Sequence, residues 1–118
     1  FIFLTKSPRR YESVLFPDNV RVGATVDCQS RVSVTENALS NTLASKKFIS
    51  CEPLSEKIVF NDLSMIDYLI IGARSRAGGL PGFQPEWDWV LSLCNQAKQS
   101  NIKSPYWKDN LERPKYFE

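Results

Sequence analysis

The stretch Val20-Arg21-Val22-Gly23-Ala24-Thr25-Val26, closed by Asp27-Cys28-Gln29, decides the fold. It is a mostly apolar run of strand length that stops abruptly in polar side chains. Strands buried in a parallel sheet read as near-continuous hydrophobic stretches. Their carboxyl ends are where α/β proteins place their chemistry. The same arrangement recurs on either side of this run. Phe1-Ile2-Phe3-Leu4 leads into Thr5-Lys6, Phe48-Ile49 into Ser50-Cys51-Glu52, and Tyr68-Leu69-Ile70-Ile71 into Gly72-Ala73-Arg74-Ser75. A weaker fifth run, Tyr106-Trp107, leads into Lys108-Asp109.

The segments between the runs carry helix signals. Ser7-Pro8 sets a cap and a first helical residue for a short helix through Leu15. A second helix is expected from about Ser30 to Ser45, with Val32, Leu39 and Leu43 as its stripe and Val34 and Ala38 filling it. Lys46-Lys47 then places positive charge near its C-terminal end. A third helix is expected from about Pro85 to Asn101, with Trp87, Val90, Leu91, Cys94 and Ala97 on one face and Trp89 partly exposed. Ile58-Val59-Phe60 reads as a short extra strand or an irregular excursion. Gly72 to Pro85 reads as a long Gly/Pro loop, a flexible lid over the strand ends. The polar tail from Asp109 is expected to fray. Gly23, inside a strand, either weakens it or admits a close neighbour.

Alternation of this kind predicts a single α/β domain over 1–118, with about five mainly parallel strands and crossover helices. Five such strands make an open sheet or a partial, half TIM-type barrel; the half barrel is the reading adopted. Half a barrel leaves two open edges and an apolar face. The expected remedy is a homodimer, or a chain supplying the missing half.

Composition excludes several function classes. Net charge is +2, and the pairs Arg9-Arg10 and Lys46-Lys47 read as solvated faces, so no nucleic-acid partner is expected. No apolar run approaches the ~20 residues of a membrane span. The chain has no histidine, which removes a Ser-His-Asp or Cys-His arrangement and any imidazole zinc site. Three cysteines, Cys28, Cys51 and Cys94, without C-x-x-C spacing, point to a reducing, cytoplasmic compartment. The chain opens inside a strand pattern with no initiator Met, which reads as a fragment of a longer protein or as the loss of a Met or tag.

Four motifs in order carry a family resemblance: Leu4-Thr5-Lys6-Ser7-Pro8, Gly23-Ala24-Thr25-Val26-Asp27-Cys28-Gln29, Phe48-Ile49-Ser50-Cys51-Glu52-Pro53-Leu54 and Tyr68-Leu69-Ile70-Ile71-Gly72. Together they resemble an uncharacterised phage and bacterial family, a domain of unknown function with a radical-SAM-like barrel, whose members read LTKRP, GVTVENQ, FVSCEPL and W-x-IVGGESG, then FFKQWG. The resemblance runs from Phe1 to about Lys108 and covers the family's C-terminal half only. It implies an iron–sulfur cluster and S-adenosylmethionine held mainly by a preceding half without counterpart here, and neither cofactor held by this chain. On that reading the chain is not catalytic alone. Arg74 stands where the family has a carboxylate, and Asp27 and Cys28 replace its Glu and Asn.

Strand-end side chains of a parallel barrel converge on one mouth. Candidate catalytic residues there are Lys6, Glu52 and Asp27, with either carboxylate a base if burial raises its pKa. Gln29, Arg74 and Lys108 are candidate ligand-binding residues, Arg74 suiting a carboxylate or phosphate. A competing reading makes the chain a small ligand- or anion-binding α/β enzyme domain with its site at the same mouth. A third has the charges simply neutralise one another. No metal ligands are assigned. Cys28 and Cys51 end neighbouring strands, as a redox pair or a metal site, or as two small apolar fillers in reduced form.

Overall fold

The structure is a computed structural model that describes residues 1–114. Five strands form one sheet: β1 (Ile2–Thr5), β2 (Arg21–Thr25), β3 (Lys46–Cys51), β4 (Tyr68–Ile71) and β5 (Tyr106–Trp107). Every pairing is parallel, and the spatial order is the sequence order, β1-β2-β3-β4-β5. Two helices, α1 (Val32–Ser40) and α2 (Trp87–Gln99), fill the second and fourth crossovers. A 3-10 helix over Pro8–Ser13 fills the first. The third, from β3 to β4, has no helix.

Parallel crossovers are right-handed almost without exception, so strands laid down in sequence order put all their connections on one side. The core reports this directly. Val22, Ala24, Ile49, Cys51, Leu69 and Ile71 alternate along their strands, and all pack in one cluster with Val32, Leu39, Val90, Leu93 and Ala97 of the helices. Strand side chains of the other parity face away from the helices. Ile2, Leu4 and Tyr106 lie there, 65%, 52% and 59% exposed, with Ile70 half-buried.

One element of that open face packs tightly. Phe48 pairs in register with Gly23 on one side and Tyr68 on the other. Its ring lies over Gly23, where a Cβ would come within 2.3 Å of it. It stacks on Tyr68 with centroids 5.1 Å apart and planes 7° from parallel. Phe48 is thereby 2% exposed without a helix above it. Gly23 therefore admits a close neighbour rather than weakening its strand. Its carbonyl also accepts a 2.9 Å hydrogen bond from the buried Tyr11 hydroxyl. Burial pushes the Tyr11 phenol up to about 12.

Several sequence expectations are corrected. The first helix is a shorter 3-10 turn, and Ser7 does not cap it: the Ser7 N–H instead donates to Thr5 Oγ1 at 3.0 Å. A 3-10 turn at Gln29–Arg31 precedes α1, which ends at Ser40. Val34 and Leu43 are exposed, and Leu43 lies beyond the helix. The end of α1 and the turn after it are met by Lys47 from β3, whose ammonium donates to the Leu39 and Thr42 carbonyls at 2.8 and 3.2 Å. Burial lowers the Lys47 pKa, against an opposing pull from Asp67, so this lysine is no solvated face. In α2 the core face includes Leu93, which the stripe omitted, while Leu91 and Cys94 are only half-buried.

Ile58-Val59-Phe60 forms no strand, and side chains satisfy its backbone instead. Gln29 holds Val59 at both N–H and C=O, each at 2.8 Å. Gln96 accepts from the Phe60 N–H and donates to the Ile58 carbonyl. Glu36, buried on α1, accepts from the Asn61 and Asp62 N–H groups at 2.7 Å and from the Asn61 side chain at 2.9 Å. The Gly72–Pro85 segment contains a hairpin rather than a structureless lid. Arg74 pairs with Phe83 and Ala77 with Leu80, antiparallel, around Gly78 and Gly79 at φ +56° and +79°. Positive φ at both turn positions is the geometry of a tight two-residue hairpin. The expected frayed tail is tied down at its start. Asn110 accepts from the Ala73 N–H at 3.1 Å and donates to its carbonyl at 2.8 Å, and Leu111 packs on the core. Residues 115–118 of that expected tail lie outside the described residues.

Two outcomes test this packing. Gly23→Ala forces the Phe48 ring off its seat and costs about 1–3 kcal/mol in urea denaturation, with part recovered by adding Phe48→Leu. Glu36→Ala leaves two loop N–H groups without their acceptor and lowers the urea midpoint by the equivalent of about 2–3 kcal/mol; an unchanged midpoint would contradict the clamp.

Candidate functional site

The carboxyl ends of the strands carry one layer of polar residues, and register explains it. Thr25, Ser50, Ile70 and Tyr106 lie side by side on the open face near the ends of their ladders, with Leu4 one step lower, opposite Gly23. Two residues further along each strand stand Lys6, Asp27, Glu52, Gly72 and Lys108. The period of two puts all five on the same side.

Within this layer the charges pair across strands. Asp27 receives the Arg31 guanidinium at 2.8 Å through Oδ1 and the Lys6 ammonium at 3.6 Å through Oδ2. Arg31 also donates to the Lys6 carbonyl at 3.3 Å, tying the ends of β1 and β2 together. Glu52 and Lys108 approach to 3.8 Å although their strands are not neighbours. Gly72, on the strand between them, makes this possible. The Glu52 side chain crosses the space a Cβ would fill, its carboxylate 2.7 Å from that position. The Glu52–Pro53 peptide is cis.

The remaining candidates sit apart. Gln29 has committed its amide to Val59, as described above. Arg74 is exposed at the base of the hairpin, beside a cleft of about 480 Å³ that it shares with Arg76, Gln84, Asp109, Asn110 and Glu112. The structure thus brings Lys6, Asp27, Glu52 and Lys108 into one layer and leaves Gln29 and Arg74 outside it. Two further residues belong to the rim. Arg31 holds Asp27 from four positions along, an i,i+4 spacing readable in the sequence. Asn110 bridges to Ala73 and to the Ser75 hydroxyl at 3.1 Å, and only the fold brings these together.

The electrostatics bear on a role as base. Burial alone would raise the Asp27 pKa, but Arg31, its own backbone N–H and Lys6 outweigh it and hold the carboxyl below its ordinary value. Asp27 is therefore ionised at neutral pH and weakly basic, which suits an anchor for cations.

The cysteines are free thiols. Cys51 is buried on the helix side of the sheet, where burial, reinforced by Asp27, pushes it up to about 12. Cys28 is half-buried with its sulfur 3.2 Å from the Ser30 hydroxyl. Burial also raises Cys94, on α2. Among the described residues no three His, Cys, Asp or Glu side chains gather as a metal site. No helix among the described residues is long and apolar enough to cross a membrane.

Comparison with known proteins places this geometry in a family. Residues 1–111 match the family described as proteins of unknown function, DUF5131. The chain belongs to that family. The match spans all five strands, both helices and the whole strand-end layer. No curated protein and no solved structure matches the chain.

The Asp27 cluster has a definite pH signature. A carboxyl whose folded pKa is depressed adds stability above the unfolded value, here 3.8, and loses it as pH falls through the folded value. Urea midpoints measured between about pH 2 and 6 should fall less steeply for Asp27→Asn than for the parent below that value. Parallel profiles would mean that the Arg31 and Lys6 contacts contribute nothing.

Proposed function

We propose that this DUF5131 chain supplies five strands of a radical-SAM-like barrel, related to phage and bacterial proteins, and works with a segment supplying the remaining strands. The observation that carries the reading is the one-sided winding of the sheet. Parallel strands in sequence order with every helix on one side form the wall of a (β/α) barrel, and the apolar face away from the helices corresponds to its interior. Ile2, Leu4 and Tyr106 are exposed on that face. A closed barrel of this type has eight strands, so three more complete it. Two copies of a five-stranded wall overfill it, which favours a complementing segment over a homodimer.

The four motifs in order support the same reading. Lys6, Asp27, Glu52 and Lys108 then line the mouth of the completed barrel, with Gln29 and Arg74 at its margin. On this reading a cluster and S-adenosylmethionine are held mainly by the complementing strands. On this reading the isolated chain is not an enzyme, and its three free thiols suit the cytoplasm. The competing reading of a self-contained ligand site at this mouth has less support. Lys6 and Lys108 already have carboxylate partners there.

Light scattering tests the proposal. The chain alone should bind an apolar dye on its open face. Mixed with the preceding half of a full-length family member, it should form a one-to-one complex and lose the dye. A dye-silent monomer of 13.5 kDa that ignores that half overturns the proposal, and a tight homodimer that excludes it replaces the complement with a second copy.

A further inference from the structure

The opposite end of the sheet carries a different balance of charge. Arg21 opens β2 and Lys46 opens β3, and the two are register partners on the open face. Like charges side by side on neighbouring strands are destabilising. Lys103, from the turn before β5, joins them around a cavity of about 220 Å³, together with Tyr68 and Asp67. None of the three cations has a carboxylate within ion-pair distance among the described residues. Asp67 lines the cavity, and its Oδ2 accepts the Lys47 N–H at 2.8 Å. Three positive groups thus face one negative group.

The contrast with the strand-end rim is informative. There the lysines are neutralised by Asp27 and Glu52. Here the positive groups converge and stay unpaired. Arg21 lies 5.9 Å over the Tyr68 ring, which restrains its guanidinium while leaving its donors free. A planar donor fork beside two point charges is the recognition set for a phosphate-type oxyanion.

We infer that the cavity at the amino-terminal ends of β2, β3 and β4, lined by Arg21, Lys46, Lys103 and Tyr68, is a binding site for a phosphate-sized oxyanion. Arg21 takes two of its oxygens, Lys46 and Lys103 supply the balancing charge, and the Tyr68 hydroxyl is available as a further donor. The volume suits a single oxyanion group rather than a nucleotide. All of its residues belong to this chain, so the isolated chain is enough to test it.

Inorganic phosphate is the probe, titrated at fixed ionic strength against chloride and followed by calorimetry and by 31P line broadening. Saturable binding is expected, with a matching rise in melting temperature. Arg21→Gln and Lys46→Gln should each weaken it about tenfold or more, while Lys57→Gln, at an exposed loop position away from the cavity, leaves it unchanged. In low-salt, phosphate-free buffer Lys46→Gln should melt at or above the parent, because a repulsion has been removed and no ion pair among the described residues is lost with it. A response that does not saturate, or that is equal in parent and variants, is a general salt effect and overturns the site. So does a Lys46→Gln variant that melts lower than the parent without phosphate, since that cation would then be structural.

Discussion

Handedness is the constraint on which this molecule depends. Each strand pairs with its predecessor in sequence, always parallel, and a right-handed crossover then has only one side on which to lie. The sheet becomes two-faced as a result. One face, through Val22, Ile49, Leu69 and Ile71, is sealed by α1 and α2. The other is sealed only where a strand side chain leans on its neighbour, as Phe48 does between Gly23 and Tyr68. A doubly wound sheet, with helices on both sides, has no such face to fill.

Two glycines do comparable work on that face at different heights. Gly23 gives up its side-chain volume to an aromatic ring, and Gly72 gives up its own to a carboxylate. The first makes a patch of core without a helix. The second lets charges on non-adjacent strands meet, so that the ends of β3 and β5 are tied across β4. In both cases the absence of a side chain on one strand sets the position of a side chain on the next. This is why the charged layer is ordered although it lies at the mouth of the sheet.

The strands were legible because each is a short apolar run with a sharp polar stop, and all five were found to within a residue or two. The strand-end layer was legible for the same reason, since Lys6, Asp27, Glu52 and Lys108 each follow such a stop. Helix α1 was read too long because Val34 and Leu43 are apolar yet exposed. Periodicity counts apolar residues and does not know which are covered. Gln29 looked like a site residue by position, but its amide is taken by a backbone thirty residues away. Asn110 and Glu36 were invisible for the converse reason. Their partners, Ala73 and the Asn61-Asp62 backbone, are distant in sequence and have no compositional mark. The Gly78-Gly79 hairpin was within reach, since a Gly-Gly pair is itself a signal for a two-residue hairpin turn, but the surrounding prolines hid it.

Nearest-neighbour pairing also has a temporal meaning. Each strand completes its ladder with the strand just before it in sequence, and none waits for a more distant partner. Loop-closure entropy is then met in a series of modest steps rather than in one long-range search. The sheet can be laid down strand by strand as the polypeptide leaves the ribosome, with each new strand docking on an edge that is already in place.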